Sequence, residues 1–387
     1  MRDYINIYKV RARLLLMLAA VLLAACSDDS DSIEEKKDML QLVPYSQKMA
    51  DVTLSATRAV TYPTGYTPYY GPNSIRVYTI SQKEDLSWDV PVSDDIRSFT
   101  YKNGSWNSSV SVVNGKDYYI YGFMPVAFST SASTESGTKL VTISCDVSGT
   151  NYSNGATLSF SNLPPVMAED FSVVTGVLQV DKSNPAEATG NLEPRKFEYQ
   201  GKASGSNFVC LMLDHLYSCV SFQFLVDPTY NELRTIKLKK VEMKSLQAIS
   251  YPLTVTMNKD ADYSVSWGDY ASYSSNQYVP LFIAVDGEES ALSATVAQEV
   301  NGYFAPVVDE QNPSESVYNN LELRCTYDVY DKKGNLTRQN CEAVNKLPAL
   351  AAGRNKRTVL TLTVNPTYLY VLSEPDLDNP TMVIDVN

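Results

Sequence analysis

The chain has 387 residues, a formal net charge of −12 at pH 7, a single histidine and six cysteines. A surface this negative repels phosphate backbones, so nucleic acid is a poor candidate partner. One histidine excludes a metal site built from three imidazoles, and the length exceeds one ordinary core and favours two domains.

The N-terminus has the pattern of an export signal. Basic residues in the first 13 positions precede an apolar run from Leu14 to Ala25. A run of about 12 residues suits a signal peptide and is too short for a membrane-spanning helix. It ends in Leu23-Ala24-Ala25-Cys26, which is typical of a bacterial lipobox. We predict that residues 1–25 are removed and that Cys26 is lipidated, which anchors the chain in the outer membrane.

The segment that follows, from Ser27 to Glu35, is acidic and nearly free of apolar residues. This composition is typical of a solvated tether, and it also resembles the surface-export signal of bacterial lipoproteins. Removal of residues 1–25 takes away four basic side chains and one acidic one, so the net charge falls to about −15. We therefore expect display on the cell surface.

Short runs that alternate between apolar and polar residues recur through the rest of the chain. A period of two is the pattern of half-buried strands, and no long stretch has apolar residues at helical spacing. Asn114-Gly115 lies between two such runs and favours a two-residue hairpin turn. We predict an all-β protein, most simply a pair of β-sandwiches. The clearest runs are Ser74–Ile80, Tyr118–Phe123, Val220–Val226, Leu253–Met257, Tyr263–Trp267 and Leu360–Val364.

Five cysteines follow the lipidation site, so they cannot all pair within the chain. The runs Leu321–Tyr330 and Leu336–Val344 predict a hairpin with a turn at residues 332–334. A three-residue loop would place Cys325 directly opposite Cys341, in the range that a disulfide needs. Two unpaired thiols are the alternative, and the sequence leaves both open.

Candidates for catalysis are few. His215 lies four residues before Cys219, but two such positions on a regular strand are about 13 Å apart, too far for a nucleophile pair. We interpret His215 as a partly buried residue at the start of a core strand. The acidic residues Glu374, Asp376 and Asp378 match no calcium loop, and the prolines beside them indicate a solvated connector. We predict no enzyme activity, no catalytic residue, no cofactor and no metal site.

The chain contains 27 tyrosines, some of them clustered with each other or with tryptophan. Exposed aromatic rings can stack on sugars, and amphipathic rings also pack well on half-buried sheets. A glycan-binding surface is therefore an alternative function. The clustered rings are Tyr62, Tyr66, Tyr69, Tyr70, Trp267, Tyr270, Tyr273 and Tyr278.

Landmarks taken in order resemble the fimbrillin family, the subunits of type V pili. The lipobox and the acidic tether come first, and a short alternating run ending near Arg58 follows. The strand after His215 resembles that family's histidine strand, although Tyr217-Ser218-Cys219 departs from the usual leucine-alanine-basic run. The other landmarks are Trp88, Trp106, Tyr118–Pro125, Leu163–Phe171 and Leu213–Phe222.

The resemblance implies two tandem transthyretin-like β-sandwiches. The expected divisions are a tether with a removable first strand at 26–58, an N-terminal sandwich at 59–226 and a C-terminal sandwich at 227–387. Asp227-Pro228 would break the chain between the sandwiches. The second would begin with Ile236–Lys244, where the alternation slips at Lys239-Lys240 and predicts a bulge.

The resemblance also implies a mode of assembly. In the family, a trypsin-like protease cuts after an arginine that follows the first strand, and a strand from a neighbouring subunit fills the groove. The expected cut is between Arg58 and Ala59, with Lys48 as a second candidate. The expected replaced strand presents Val52, Leu54 and Ala56, and the expected donor strand presents Met382, Ile384 and Val386. A plain loop arginine and an ordinary last strand are the alternatives.

The implied function is a structural or adhesive subunit of a cell-surface fimbria. Its partners would be other pilin subunits and a receptor on a host or bacterial surface. Two alternatives stay open: a surface glycan-binding lipoprotein, and a fimbrial anchor or tip protein that does not polymerise.

Overall fold

The computed structural model describes residues 38–39, 41–47, 49–51, 66–68, 75–82, 88–89, 97–102, 105–108, 111–124, 141–148, 151–180, 196–199, 208–246, 249–257, 263–269, 271–272, 277–306, 317–318, 320–368 and 375–386. Several residues singled out in the sequence lie outside this description. They are Cys26, Lys48, Val52, Leu54, Ala56, Arg58 and Ala59.

The described residues up to His215 form strands of two to 13 residues. These are β1 (Asp38–Met39), β2 (Gln41–Gln47), β3 (Ala50–Asp51), β4 (Tyr66–Pro68), β5 (Ile75–Gln82), β6 (Trp88–Asp89), β7 (Arg97–Lys102), β8 (Ser105–Ser108), β9 (Ser111–Val112), β10 (Lys116–Met124), β11 (Val141–Ser148), β12 (Asn151–Leu163), β13 (Val166–Met167), β14 (Ser172–Val180), β15 (Lys196–Tyr199) and β16 (Phe208–His215).

The described residues after His215 form further strands and one short helix. These are β17 (Ser218–Val226), α1 (Pro228–Leu233), β18 (Arg234–Ser245), β19 (Ile249–Met257), β20 (Tyr263–Trp267), β21 (Ala271–Ser272), β22 (Val279–Ile283), β23 (Gln298–Phe304), β24 (Val317–Tyr318), β25 (Leu321–Asp331), β26 (Leu336–Lys346), β27 (Leu350–Ala351), β28 (Lys356–Tyr368) and β29 (Pro375–Val386). The prediction of an all-β protein is confirmed.

The first sandwich packs a large sheet against a smaller one. The large sheet has the order β4-β2-β16-β14-β10-β5-β7-β8, and β15 and β6 pair with β10 and β5. The smaller sheet has the order β11-β12-β19-β20. Tyr119, Tyr121 and Phe123 of β10 share a buried core with Phe160 of β12 and Leu253 of β19, among others.

The other face of the large sheet is also buried. Ile120, Val174 and Leu211 belong to a separate apolar cluster there, and Trp106 of β8 packs on it. Strand β8 lies close to β2, so the two ends of the sheet approach each other. Every residue of Tyr118–Met124 is therefore buried, where the alternation had predicted a half-buried strand.

The second sandwich packs a sheet of order β13-β23-β17-β28-β29 against a sheet of order β22-β18-β25-β26. Phe222 of β17 and Leu362 of β28 meet Leu238 of β18 and Leu323 of β25 in its core. The predicted alternation in β28 is confirmed, because Leu360, Leu362 and Val364 are buried while Thr361 and Thr363 are only half-buried.

The chain does not divide at residue 226 as expected. Strand β16 lies in the first sandwich and β17 in the second, so the crossing falls at Leu216 and Tyr217, both packed in the first core. The chain later returns, because β19 pairs with β12 and its side chains fill the first core. Residues 249–257 and 263–267 thus belong to the first sandwich. Asp227-Pro228 instead starts α1, where the Asp227 side chain accepts the Tyr230 N–H.

The predicted hairpin of β25 and β26 is confirmed, but the pairing of its cysteines is wrong. Tyr330 faces Leu336, as a three-residue loop predicts, and two irregularities then shift the register. Cys325 consequently faces Ala343, Cys341 faces Tyr327, and both are free thiols. Asn340 has a φ of 51° and its N–H donates to Asp328 Oδ1 at 2.7 Å, which stabilises the bulged backbone.

Two local predictions had different outcomes. The bulge expected at Lys239-Lys240 is confirmed by a register shift between Leu238 and Lys240 in the pairing with β25. The turn at Asn114-Gly115 forms with Gly115 at a φ of 75°, but it does not join a hairpin. Strand β9 pairs with β1, whereas β10 pairs with β5, β14 and β15.

Candidate functional site

Strand β2, the second strand in the chain, lies inside the large sheet of the first sandwich. It runs parallel to β16, with Gln41 opposite Phe208 and Ser46 opposite Leu213. On its other side it pairs antiparallel with β4. Strand β3 then pairs with β28 of the second sandwich. Residues 41–51, which we call the N-terminal segment, thus reach both sandwiches.

A cluster of buried polar side chains ties β2 to its neighbours. His215 Nδ1 lies 2.8 Å from Asp170 Oδ2, and His215 Nε2 lies 3.2 Å from Ser46 Oγ. Ser172 Oγ donates to Asp170 Oδ2 at 2.7 Å and lies 3.2 Å from His215 Nδ1. Ser46, Asp170 and His215 are only 9%, 5% and 7% exposed. We call Ser46, Asp170, Ser172 and His215 the His215 cluster.

The sheet, and not the local sequence, brings this cluster together. His215 ends β16 and faces Ser172 at the start of β14, while Ser46 stands beside Leu213 in the parallel pairing. Asp170 lies two positions before the start of β14. The expectation that His215 begins a core strand is therefore wrong. Its partners Ser46 and Asp170 are 169 and 45 residues away, and no spacing motif signals either.

The order serine, Nε2, Nδ1, aspartate is that of a serine-hydrolase triad. Here, however, Ser46 is a buried residue of a strand that pairs on both sides. A substrate carbonyl has no approach to such a hydroxyl. Cys219 lies on β17, where its thiol is 3.9 Å from Asn301 Oδ1. The His215 cluster therefore acts as a hydrogen-bond network that fixes β2 in the sheet.

A second network crosses from this sheet to the next sandwich. Asp214 precedes His215, and its Oδ2 accepts the Tyr263 hydroxyl at 2.7 Å. Arg354, just before β28, donates to the same tyrosine oxygen at 3.2 Å. Burial and the neighbouring Asp214 carboxylate raise the pKa of Tyr263, so it stays a neutral donor. The junction between the sandwiches is thus hydrogen-bonded directly beside the His215 cluster.

The C-terminal strand β29 forms an edge of the second sandwich. It pairs antiparallel with β28, with Met382 opposite Val364, Ile384 opposite Leu362 and Val386 opposite Leu360. Met382 is 8% exposed and Ile384 packs against the core, whereas Val383 is 45% exposed. The strand therefore forms the last strand of its own sheet, which was the alternative to donation.

The interpretation of the acidic residues as a connector is wrong for Asp376 and Asp378, which lie within β29. Glu374 lies outside the described residues.

Strands β3 and β29 share one edge of β28. Arg357 pairs with Asp51 on this edge and with Cys219 of β17 on the other. Leu360 likewise pairs with Val386 on this edge and with Phe222 on the other. The N-terminal segment and the chain's C-terminus therefore lie end to end along the same strand.

The described aromatic side chains are engaged inside the protein. The Trp267 ring packs on Tyr217 and Tyr251 with centroids 6.1 and 6.0 Å away. The Arg324 guanidinium lies 4.0 Å and the Lys244 ammonium 4.5 Å from the Tyr278 ring centroid. These contacts favour packing over sugar stacking. Tyr62, Tyr69, Tyr70, Tyr270 and Tyr273 lie outside the described residues, and nothing is described of the Tyr66 side chain.

In the part of the chain that the structure describes, no helix has the length and apolar character to cross a membrane. The same residues contain no group of three histidine, cysteine or acidic side chains placed to hold a metal ion.

These elements define an all-β protein whose second strand lies inside a sheet and whose last strand lies at an edge. No protein-family model and no curated protein matches the chain. Similar solved structures include a fimbrial protein from Bacteroides vulgatus, 14% identical, over 81% of this chain and 91% of that one, with a TM-score of 0.34. A fimbrial protein from Bacteroides ovatus is 10% identical over 86% and 52% of the two chains, with a TM-score of 0.30. The fimbrial anchor protein Mfa2 from Porphyromonas gingivalis is 10% identical over 89% and 97%, with a TM-score of 0.22.

Proposed function

We propose that this protein is a structural or adhesive subunit of a cell-surface fimbria. It is exported as a lipoprotein through Cys26, cut after Arg58 or Lys48, and assembled by exchange of strands between copies. Its partners are other pilin subunits, and its location is the outer membrane and then the fimbria. The two sandwiches would be of the transthyretin-like kind, and the protein would have no enzymatic role.

The observation that carries this proposal is the position of β2. The strand lies inside a sheet, yet it is near the N-terminus and upstream of Lys48 and Arg58. One cut at either residue separates it from the rest of the chain. Its departure leaves the edge of β16 unpaired over Phe208–Leu213, and an unpaired edge is a template for another strand.

This position changes which strand is replaced. The sequence had pointed to Val52, Leu54 and Ala56, which lie outside the described residues. We now propose that β2 is the strand that leaves, together with β3 when the cut falls after Arg58. A cut after Arg58 would separate β2 from the first sandwich and β3 from the second in a single step.

The proposed donor is β29 of a neighbouring copy. Its apolar residues Met382 and Ile384 alternate with exposed Thr381 and Val383. The same apolar side chains that pack in its own core could therefore fill the groove of a neighbouring copy. Main-chain hydrogen bonds would supply affinity and the alternate side chains specificity. Among the described strands β29 pairs with β28 alone, so its withdrawal disturbs fewer of the described strand pairings than withdrawal of an inner strand would.

The test treats the mature chain, residues 27–387, with trace trypsin and follows fragment mass and oligomer size together. We expect cleavage after Lys48 or Arg58 followed by a ladder of stable multimers. A chain with Lys48→Ala and Arg58→Ala should stay monomeric. The matched control carries Lys332→Ala and Lys333→Ala at the exposed hairpin turn and should form the ladder like the wild type.

A chain that is cut at these residues and remains monomeric would contradict assembly by strand exchange. Resistance to cutting would instead favour an anchor that keeps its N-terminal strand and lipid. No described contact favours the glycan-binding alternative.

A further inference from the structure

A strand that pairs with the edge of β16 must match a polar group as well as apolar side chains. Leu211 and Leu213 face the buried cluster on the outer side of the large sheet, and Ser46 stands on the same side, opposite Leu213. There its hydroxyl meets His215 Nε2 at 3.2 Å. If β2 leaves, the imidazole loses this partner. A buried donor or acceptor without a partner weakens an association by roughly tenfold or more.

A hydroxyl suits this position better than other groups. It donates to a neutral Nε2 and accepts from a protonated one, so it satisfies the histidine in either state. A carboxylate can only accept. It would also stand near Asp170, which already lies 2.8 Å from the same ring, and like charges disfavour such a position.

We propose that His215 and Asp170 form a recognition site that selects a hydroxyl-bearing residue on the strand beside β16, and that Thr381 of a second copy is the residue selected. This inference rests on the proposed function. It goes further by assigning the direction and the register of the incoming strand, which would run antiparallel to β16.

The register follows from the side chains of β29. With Thr381 opposite Leu213, Val383 comes opposite Leu211 and takes the place of the buried Pro44. Met382 and Ile384 then come opposite Met212 and Cys210, on the side of the sheet where Asp214 meets Tyr263 of the smaller sheet. In its own sandwich the strand already presents these residues on opposite faces, because Met382 is buried and Thr381 is exposed.

Insertion parallel to β16 gives a different match. If the strand runs parallel to β16 with Met382 opposite Cys210 and Ile384 opposite Met212, Asp385 comes opposite Leu213. The His215 cluster would then hold two carboxylates around one imidazole. The antiparallel register restores a hydroxyl where Ser46 had been. It brings Asp385 opposite the buried Val209, four positions along β16 from Leu213 and away from His215.

The experiment uses the mature chain nicked by trace trypsin, with synthetic peptides of residues 374–387 added as donors. His215 is the only histidine, so the 15N signals of its ring report on this site alone. Native mass spectrometry follows displacement of the cleaved N-terminal fragment by each peptide. The peptides are the native sequence, Thr381→Ser, Thr381→Ala and Asp385→Asn.

We expect the native and Thr381→Ser peptides to displace the fragment equally and to shift the Nε2 signal alike. The Thr381→Ala peptide should bind about tenfold more weakly. The Asp385→Asn peptide should bind at least as tightly as the native one, because a carboxylate beside the buried Val209 is costly. A nicked chain with Ser46→Ala should lose its own fragment about tenfold more readily. That variant tests the site without any donor.

Equal binding of the native and Thr381→Ala peptides would overturn the inference, because the incoming hydroxyl would then have no role at His215. Weaker binding of Asp385→Asn than of the native peptide would also overturn it, because the Asp385 carboxylate would then make a favourable contact that the antiparallel register does not give it. Failure of every peptide to displace the fragment would overturn the choice of β29. The proposed function is judged separately, by whether the cleaved wild-type chain forms a ladder of multimers.

Discussion

Ile384 lies opposite Leu362 at the edge of the second sandwich and packs against the core cluster that contains it. The apolar face that we propose for donation is therefore in use within the monomer. Donation would exchange one set of apolar contacts for a similar set. The equilibrium between monomer and polymer would then be decided by the main-chain hydrogen bonds that a donor strand forms with the β16 edge left unpaired by cleavage.

The first prediction concerns this strand in the uncut monomer. Ile384→Ala should lower the free energy of unfolding by about 1–2 kcal/mol, because the side chain is half-buried. Val383→Ala is the matched control and should change it by less than about 0.5 kcal/mol, since Val383 is 45% exposed. Urea denaturation measures both. Equal effects would show that β29 is not packed as described.

The second prediction tests the path of the chain between the sandwiches. Leu253→Ala should cost about 2–5 kcal/mol, because Leu253 is 1% exposed in the first core. Hydrogen exchange should then quicken first in β10 of the first sandwich. Quickening that begins in β25 of the second sandwich would contradict the placement of β19 in the first sandwich. Thr254→Ala, half-buried on the same strand, is the control.

The third prediction concerns acid stability. Burial by itself raises the pKa of Glu242, but hydrogen bonds from Lys240 and Arg324 outweigh it and hold that pKa below its ordinary value of 4.5. The group therefore stabilises the folded state above pH 4.5, and this contribution is lost as the pH falls through the lowered value. Glu242→Gln should therefore reduce the difference in the free energy of unfolding between neutral and acid pH.

Urea denaturation at pH 7 and pH 3 compares this variant with Glu288→Gln, which changes an exposed carboxyl. At pH 7, Glu242→Gln should also cost about 1–3 kcal/mol, because the Arg324 guanidinium loses its charged acceptor, now 2.7 Å from Nη2. An unchanged pH profile for Glu242→Gln would refute the assigned role.

The fourth prediction concerns the thiols. Burial raises the pKa of Cys210 to about 12 and also raises the pKa of Cys325, so neither forms the reactive thiolate near neutral pH. Cys341 is half-buried. Alkylation of the native protein followed by peptide mapping should label Cys341 well before Cys210 or Cys325. A pair of peptides joined by a Cys325–Cys341 disulfide, which a reductant would separate, should not be found, and its presence would contradict the register of β25 and β26.

Local patterns in the sequence were good guides where the structure depends on neighbours along the chain. The alternation in Leu360–Val364 predicted which side chains are buried, and the phase slip at Lys239-Lys240 predicted a real bulge. Each rests on the two-residue period of a strand, which is visible within a few positions. The pairing of Cys325 failed for a related reason. The irregularities that shift it leave no periodic signal and depend on Asp328 and Asn340 meeting across the hairpin.

By itself, then, the sequence determined that the chain is built of strands, where most of them lie, and that a C-terminal alternating run is present. The export signal stays a prediction. Only the tertiary structure decided which strands pair. It placed β2 between β16 and β4, moved the crossing to Leu216 and returned β19 and β20 to the first sandwich. It also joined Ser46 to His215 across 169 residues. The physical reason is that an exposed strand edge can bond to many partners, and the choice among them is made by distant side chains that share one core.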